Sequence, residues 1–307
     1  MYQKCKEYYR SLKLYEVVKF YRIYIEITNV CGLSCSFCPT KELPAKQMDL
    51  DFFESIIQQA QHYTKEIACH VVGDPLTQSN LHEYLDIIHK YGLKAMLTTS
   101  GYFLKKHTFD TLFHPCVKQI NISLNSFNKN DTALTFEQYI TPVLALCKAK
   151  LERKEELFIN LRVWNLDEMM SERNFNEILF FKLGKTFDVK LELDAIYKER
   201  PKSIRLASKI LVHFDNYFEW PSLKNKNYGH GTCQGLQSHI AVLASGKVVP
   251  CCLDCDGIIE LGDLHEEGLE NILSNYRTVT MIEGFKAGKA VEELCQKCSY
   301  KERFNLS

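Results

Sequence analysis

Aliphatic and polar residues alternate without a break in four stretches of the chain. In YRIYIEIT (residues 21–28), Ile23, Ile25 and Ile27 fall on one side, and Arg22, Tyr24, Glu26 and Thr28 on the other. VKQINISLN (117–125) sets Ile122 and Leu124 against Asn121, Ser123 and Asn125. LFINLRVWN (157–165) sets Ile159, Leu161 and Val163 against Asn160, Arg162 and Trp164. VKLELD (189–194) sets Val189, Leu191 and Leu193 against Lys190, Glu192 and Asp194. A period of two predicts strands. IACHVV (67–72) and KAMLTTSG (94–101) read as two more. Between them the apolar spacing becomes helical: 49–64, with Asp49 or Asp51 as N-cap; 80–92, ended by Gly92; KKHTFDTLF (105–113); 135–152; and 172–183.

Strands alternating with helices predict an α/β fold with a parallel sheet, flat or rolled up. A flat, doubly covered sheet has nearly continuous apolar strands. Here one face of each strand is polar, so the pattern favours a partial (β/α)6 TIM-like barrel with a wet, functional interior. Past residue 198 the alternation lapses into polar, turn-rich sequence. The organisation read from this is an N-terminal extension (1–20), a core barrel (21–197), a linker (198–230) and a compact module (231–307). In the module, SHIAVLASGKVVPCC makes a hairpin turned by Ser245-Gly246, and HEEGLENILSNY makes an amphipathic helix.

The chain has 307 residues, with 38 Lys plus Arg balancing 38 Asp plus Glu. That balance argues against a broad footprint for nucleic acid or an anionic membrane. No apolar run reaches membrane-spanning length, and the N-terminal residues lack the apolar core of a signal peptide, so the cytoplasm is the expected location. Thirteen cysteines are many for such a chain. Their odd number fits metal binding better than a disulfide framework. Cys69, Cys116 and Cys147, single among apolar residues, read as buried hydrophobes, and Cys5 has no readable role.

Cys31, Cys35 and Cys38 lie within ITNVCGLSCSFCP, directly after the first strand, in a loop where a barrel's chemistry usually sits. Zinc would need a fourth ligand, and none is close in sequence. Three thiolates can instead hold a four-iron, four-sulfur cluster and leave one iron open. With Phe37 before the last cysteine, this Cys-x3-Cys-x2-Cys loop resembles that of the radical S-adenosylmethionine (SAM) superfamily. The resemblance implies a [4Fe-4S] cluster whose open iron takes the amino and carboxylate groups of SAM. It also implies that SAM is cleaved to a 5′-deoxyadenosyl radical. VVGDP (71–75) resembles the family's Gly-Gly-Glu-Pro motif, which contacts the SAM amino group. Val72 replaces the first glycine and Asp74 the glutamate, leaving Gly73, Asp74 and Pro75 as SAM-binding candidates. TTSG (98–101) gives Thr98 and Ser100 at the family's polar contact after the third strand. Ser123 and Asn125 stand where the family binds the SAM carboxylate and ribose.

Six cysteines follow residue 230, and two groupings compete. Cys252 and Cys255 with Cys295 and Cys298 would make a zinc ribbon. Cys233, Cys251, Cys295 and Cys298 resemble the ligand set of the twitch domain, a shortened SPASM domain. This implies one fully ligated auxiliary [4Fe-4S] cluster, suited to accepting an electron from a substrate radical or to stapling a small module. Cys252 could replace Cys251.

By strand parity Glu26, His70, Arg162, Glu192 and Asp194 face the barrel interior. Glu26 and Arg162, an acid and a fixed base of opposite sign, are the catalytic candidates. The resemblance implies a small-molecule or peptide substrate and a one-electron donor such as flavodoxin or ferredoxin. Twitch relatives oxidise small polar metabolites or rearrange nucleotides, whereas SPASM relatives modify peptides. The short segment before the first strand favours the metabolite. A different class of reading, a non-catalytic metal-binding protein on the same fold, is open because VVGDP departs from the family motif.

Overall fold

The computed structural model describes residues 19–39, 43–130, 132–164, 172–215 and 218–304. Most of the N-terminal extension, Cys5 and Asn165 lie outside them. Five of the six expected barrel strands are present: β1 (Arg22–Ile25), β2 (Glu66–Ala68), β3 (Lys94–Thr99), β4 (Val117–Ser123) and β5 (Phe158–Val163). They pair in that order, all parallel. Their connections carry helices α1 (Leu50–Ala60), α2 (Leu81–Lys90), α3 (Phe109–Leu112) and α4 (Phe136–Glu152). Asp49 caps α1 through its side chain, and Thr135 and Gln138 form a capping box on α4.

The sixth strand is not where alternation put it. Residues 189–194 form no strand. After α5 (Arg173–Phe187) the chain turns at Asp188, in the left-handed region, and enters a short helix α6 (Leu193–Glu199). Glu192 and Asp194 are exposed and pair with Lys190 and Arg173, so neither faces the barrel interior. The sixth parallel strand is β7 (Ile210–Phe214), hydrogen-bonded to β5 and preceded by its antiparallel neighbour β6 (Ser203–Ala207). The barrel sheet therefore continues past 197 into the stretch read as linker.

The C-terminal hairpin forms as expected, from β8 (His239–Val242) and β9 (Lys247–Val249), with β10 (Gly262–Asp263) beside β9. Its first strand also pairs in parallel with β1, Ile23 opposite Ile240. The module is thus a continuation of the barrel sheet, giving the order β10-β9-β8-β1-β2-β3-β4-β5-β7-β6. Helices α7 (Leu269–Ser274), α8 (Tyr276–Lys286) and α9 (Glu293–Gln296) complete it. No helix among the described residues is long and apolar enough to cross a membrane.

The alternation has the expected consequence. Ile23, Ile25, Ile122, Ile159, Leu161 and Val163 are fully buried in the main hydrophobic core. The opposite face carries a hydrogen-bonded polar layer. Gln119 Nε2 donates to Asn121 Oδ1 at 2.7 Å, Asn160 Nδ2 to the same oxygen at 3.1 Å, and Asn121 Nδ2 to Thr98 Oγ1 at 3.1 Å. Buried amides need such partners.

Candidate active site

A cavity of about 330 Å3 gathers both sets of cysteines. Cys31, Cys35 and Cys38 line it from the loop after β1, and Cys233, Cys251, Cys252, Cys295 and Cys298 from the C-terminal module. Gly73, Asp74, Thr98, Ser100, Ser123, Asn125, His70 and Arg162 also line it. Two candidates do not. Pro75 is buried at the start of a short 3-10 turn, Pro75–Thr77. Glu26, 1% exposed, lies off the cavity; its Oε1 accepts from the Val72 N–H and its Oε2 from the Ala244 N–H, both at 3.1 Å. This carboxylate ties β1 to the loop after β2 and to the C-terminal hairpin, which corrects its reading as a catalytic acid facing the interior.

The three-cysteine loop is held from two sides. Asn130 Nδ2 donates to Cys35 Sγ at 2.9 Å, and Asn130 Oδ1 accepts from the Ser34 N–H at 2.8 Å. The Ser36 N–H donates to the Lys129 carbonyl at 3.1 Å. A hydrogen bond with Cys38 draws the Cys35 thiol down to about 6; burial opposes this, and Asn130 and Ser126 add to it. A lowered thiol favours the thiolate that iron requires. Gly32, at φ +68°, supplies a left-handed turn inside the loop. From outside, Trp220 Nε1 donates to the Phe37 carbonyl at 3.0 Å. Trp220 sits in the stretch read as linker, and its ring type was the only sequence signal available.

The VVGDP loop packs directly against Thr28 and Val30, in the stretch that leads from β1 to the cysteine loop. A Cβ on Gly73 would lie 1.8 Å from the Thr28 carbonyl oxygen, so only glycine permits this approach. The Asp74 N–H donates to the Val30 carbonyl at 3.0 Å. Asp74 Oδ2 accepts from Thr99 Oγ1 at 2.9 Å and from the N–H and Oγ of Ser100, each at 2.8 Å; its Oδ1 accepts from the Leu76 N–H at 3.0 Å. Burial raises its carboxyl above the usual aspartate value, and the Ser100, Leu76 and Thr99 donors pull against it. Asp74 therefore joins the ends of β2 and β3 into one rigid edge of the cavity.

In the module, Cys251, Cys233, Cys295 and Cys298 are electrostatic neighbours, and burial raises each thiol first. The buried Lys301 lies beside Cys298, Cys295 and Cys233, a positive charge suited to thiolates; its Nζ donates to the Cys298 carbonyl at 3.0 Å. Cys255 is apart: it packs against Val71, Ala241, Leu243 and Val249, off the cavity, and burial pushes its thiol up to about 12. The zinc-ribbon grouping, which needs Cys255, is not assembled. Cys252 faces Tyr24 and Arg162; burial raises its thiol to about 11, against a hydrogen bond from Tyr24. Among the described residues no three His, Cys, Asp or Glu side chains converge as ligands of a single metal ion. A tetrahedral zinc holds its sulfurs about 2.3 Å from one point. An iron–sulfur cube spreads its thiolates over its corners. Thiol-only donor sets, spread around a shared cavity, fit clusters.

Residues 25–169 match the family model of the radical SAM superfamily, and residues 233–299 match that of an iron–sulfur cluster-binding domain, SPASM. The chain belongs to the radical SAM superfamily and carries a SPASM-type cluster domain after its barrel. These domains bring a [4Fe-4S] cluster, SAM and auxiliary iron–sulfur binding. A Methanocaldococcus jannaschii protein named for glycyl-radical enzyme activation is 29% identical over 105 residues, 34% of this chain and 40% of that relative's length. Among solved structures, BtrN in complex with AdoMet (SAM) and 2-DOIA aligns with TM-score 0.57 and 17% identity, covering 91% of this chain and 93% of that one. Streptococcus suis SuiB bound to precursor peptide SuiA aligns with TM-score 0.61 and 13% identity, covering 99% and 77%. AnSMEcpe with bound AdoMet and a peptide gives 0.56 and 14%, covering 91% and 86%. At these identities the likeness shows the fold, a partial barrel with its C-terminal cluster module.

Proposed function

We propose that this radical SAM enzyme carries out a two-electron oxidation of a small polar metabolite. The observation that carries the reading is the shared cavity: Cys31, Cys35 and Cys38 line one part, and Cys233, Cys251, Cys295 and Cys298 another. When bound, SAM and the first cluster supply a radical that takes a hydrogen atom from substrate, and the second cluster supplies an electron sink. Cys31, Cys35 and Cys38 would hold the first cluster and leave one iron for SAM. Cys233, Cys251, Cys295 and Cys298 would hold the second. Gly73 and Asp74 fix the loop that presents backbone groups to the SAM amine, and Thr98, Ser100, Ser123 and Asn125 offer polar contacts for the rest of SAM. Trp164 and Trp220 add apolar walls that exclude water from the reacting groups. The cavity volume lies at the lower end of small-molecule sites. A flavodoxin or ferredoxin would deliver the reducing electron.

Peptide modification is the second reading, favoured by the fold's likeness to SuiB and anSMEcpe, both solved with peptides. Anaerobically reconstituted enzyme with SAM and dithionite distinguishes them. Hydroxylated metabolites deuterated at the carbinol carbon should raise 5′-deoxyadenosine above the substrate-free rate and label it. Labelling from peptides alone would overturn the metabolite reading.

A further inference from the structure

With Glu26 committed to backbone N–H groups, Arg162 has lost the acidic counterpart that strand parity offered it. Arg162 sits on β5 opposite Ser123 of β4 and His213 of β7, on the polar face of the barrel. Its guanidinium lies 3.7 Å from the centroid of the Trp164 ring. Among the described residues no carboxylate reaches it at ion-pair distance. The contrast with the other interior cations is sharp. Arg22 is matched by Glu66 at 2.5 Å, and Glu66 also takes Lys118 at 2.7 Å. Lys301 sits among the auxiliary thiols. Asp215 follows β7, and its Oδ2 accepts from Arg303 Nη1 at 3.0 Å.

A second group on this wall is unsatisfied. His70 lines the cavity close enough to feel the Arg162 charge, and its Nδ1 is buried with no hydrogen-bond partner. A buried cation and a buried ring nitrogen left unpaired are costly, and such groups are retained where a ligand completes them. The planar fork of a guanidinium matches a carboxylate or phosphate through two parallel hydrogen bonds. Stacking on Trp164 fixes the plane of that fork before anything binds.

Resting on the radical SAM oxidation reading, we propose that Arg162, stacked on Trp164 and flanked by His70, anchors an anionic group of the substrate, a carboxylate or a phosphate. The substrate is then a polar metabolite carrying a negative charge, and its oxidised carbon lies a fixed reach from Arg162.

The test uses reconstituted, SAM-loaded protein, as wild type, Arg162→Gln and Arg162→Lys. Inorganic phosphate and malonate are titrated separately by calorimetry, so the two arms separate phosphate from carboxylate recognition. At least one anion should bind wild type saturably, and about 10- to 100-fold more weakly to Arg162→Gln, the loss of a charge-assisted pair. Arg162→Lys should recover part of the loss. The affinity for SAM and the electron paramagnetic resonance (EPR) signal of the auxiliary cluster should match wild type in each variant. Equal anion affinity in wild type and Arg162→Gln, or no binding to either, overturns the anchor. Loss of SAM affinity in Arg162→Gln instead makes the residue a SAM ligand, and a shifted auxiliary signal makes it a counter-ion of that cluster; either overturns the proposal. Wild type that fails to bind SAM overturns the underlying reading as well.

Discussion

Glu26 Oε2 accepts the backbone N–H of Ala244 at 3.1 Å, across 218 positions of sequence. With Val72 on its other oxygen, this one buried carboxylate joins the first barrel strand, the SAM-side loop and the C-terminal hairpin. Removing it strands the buried Ala244 donor and the half-buried Val72 donor, at a cost of about 2–4 kcal/mol. Glu26→Ala should therefore lower the denaturant midpoint clearly. Folded Glu26→Ala protein should still form 5′-deoxyadenosine at a rate near wild type. A dead but fully stable variant would return Glu26 to the chemistry.

Gly73 admits no side chain. Its Cβ would sit 1.8 Å from the Thr28 oxygen and 2.7 Å from the Thr28 carbonyl carbon, both backbone atoms that cannot swing away. Gly73→Ala should cost about 3 kcal/mol and displace the loop carrying Asp74. Thermal unfolding and SAM titration check this together: both stability and SAM affinity should fall. The neighbouring Val72→Gly, at a position where the family motif has glycine, should fold.

His70 makes stability depend on pH. Burial, with the Arg162 and Arg22 charges, pushes its ring down to about 3. The unfolded chain takes up the proton near pH ~6.5 while the native state does not. Stability is therefore complete above that value and drains away as pH falls toward the native value, by about 2 kcal/mol at a pH of about 5. His239, pushed to about 4 chiefly by burial, acts in the same direction. Urea midpoints of wild type and His70→Gln should converge as pH falls through this window. Curves that stay parallel would show that His70 is charged in the folded protein.

The auxiliary ligand set makes a sharp distinction among neighbouring cysteines. Cys251→Ser or Cys298→Ser should lower iron from about eight to about four per chain. Cys255→Ser, off the cavity among Val71, Ala241, Leu243 and Val249, should leave iron at about eight. Iron assay with EPR reads this directly. Loss of the second signal in Cys255→Ser would instead make Cys255 a ligand of the auxiliary cluster.

Much of this site was legible because its signals are local. Three thiols in eight positions fix their own loop, and strict alternation marks which face of β1, β4 and β5 meets the core. The errors came where local pattern is not decisive. VKLELD alternates as well as any true strand, yet no neighbouring strand takes it up, and its acids pair with Lys190 and Arg173 at the surface. ILVHF (210–214) forms the sixth strand instead. Its hairpin turns through Lys209 at φ +55°, with none of the glycine or asparagine that would announce a turn. Parity set Glu26 on the polar face of its strand, but only tertiary structure brings Val72 and Ala244 onto its oxygens and holds it off the cavity. The parallel pairing of β8 with β1 joins residues more than 200 apart, and no local signal encodes such a contact.

The proposed activity depends on an iron left open by Cys31, Cys35 and Cys38, and its most direct measurement is 5′-deoxyadenosine formed from SAM. Anaerobically reconstituted, dithionite-reduced wild type should produce it, with SAM shifting the EPR signal of the reduced protein. Cys31→Ala should produce none while keeping the auxiliary signal. Cleavage that survives Cys31→Ala, or wild type that binds iron but neither shifts its signal with SAM nor cleaves it, would contradict the account.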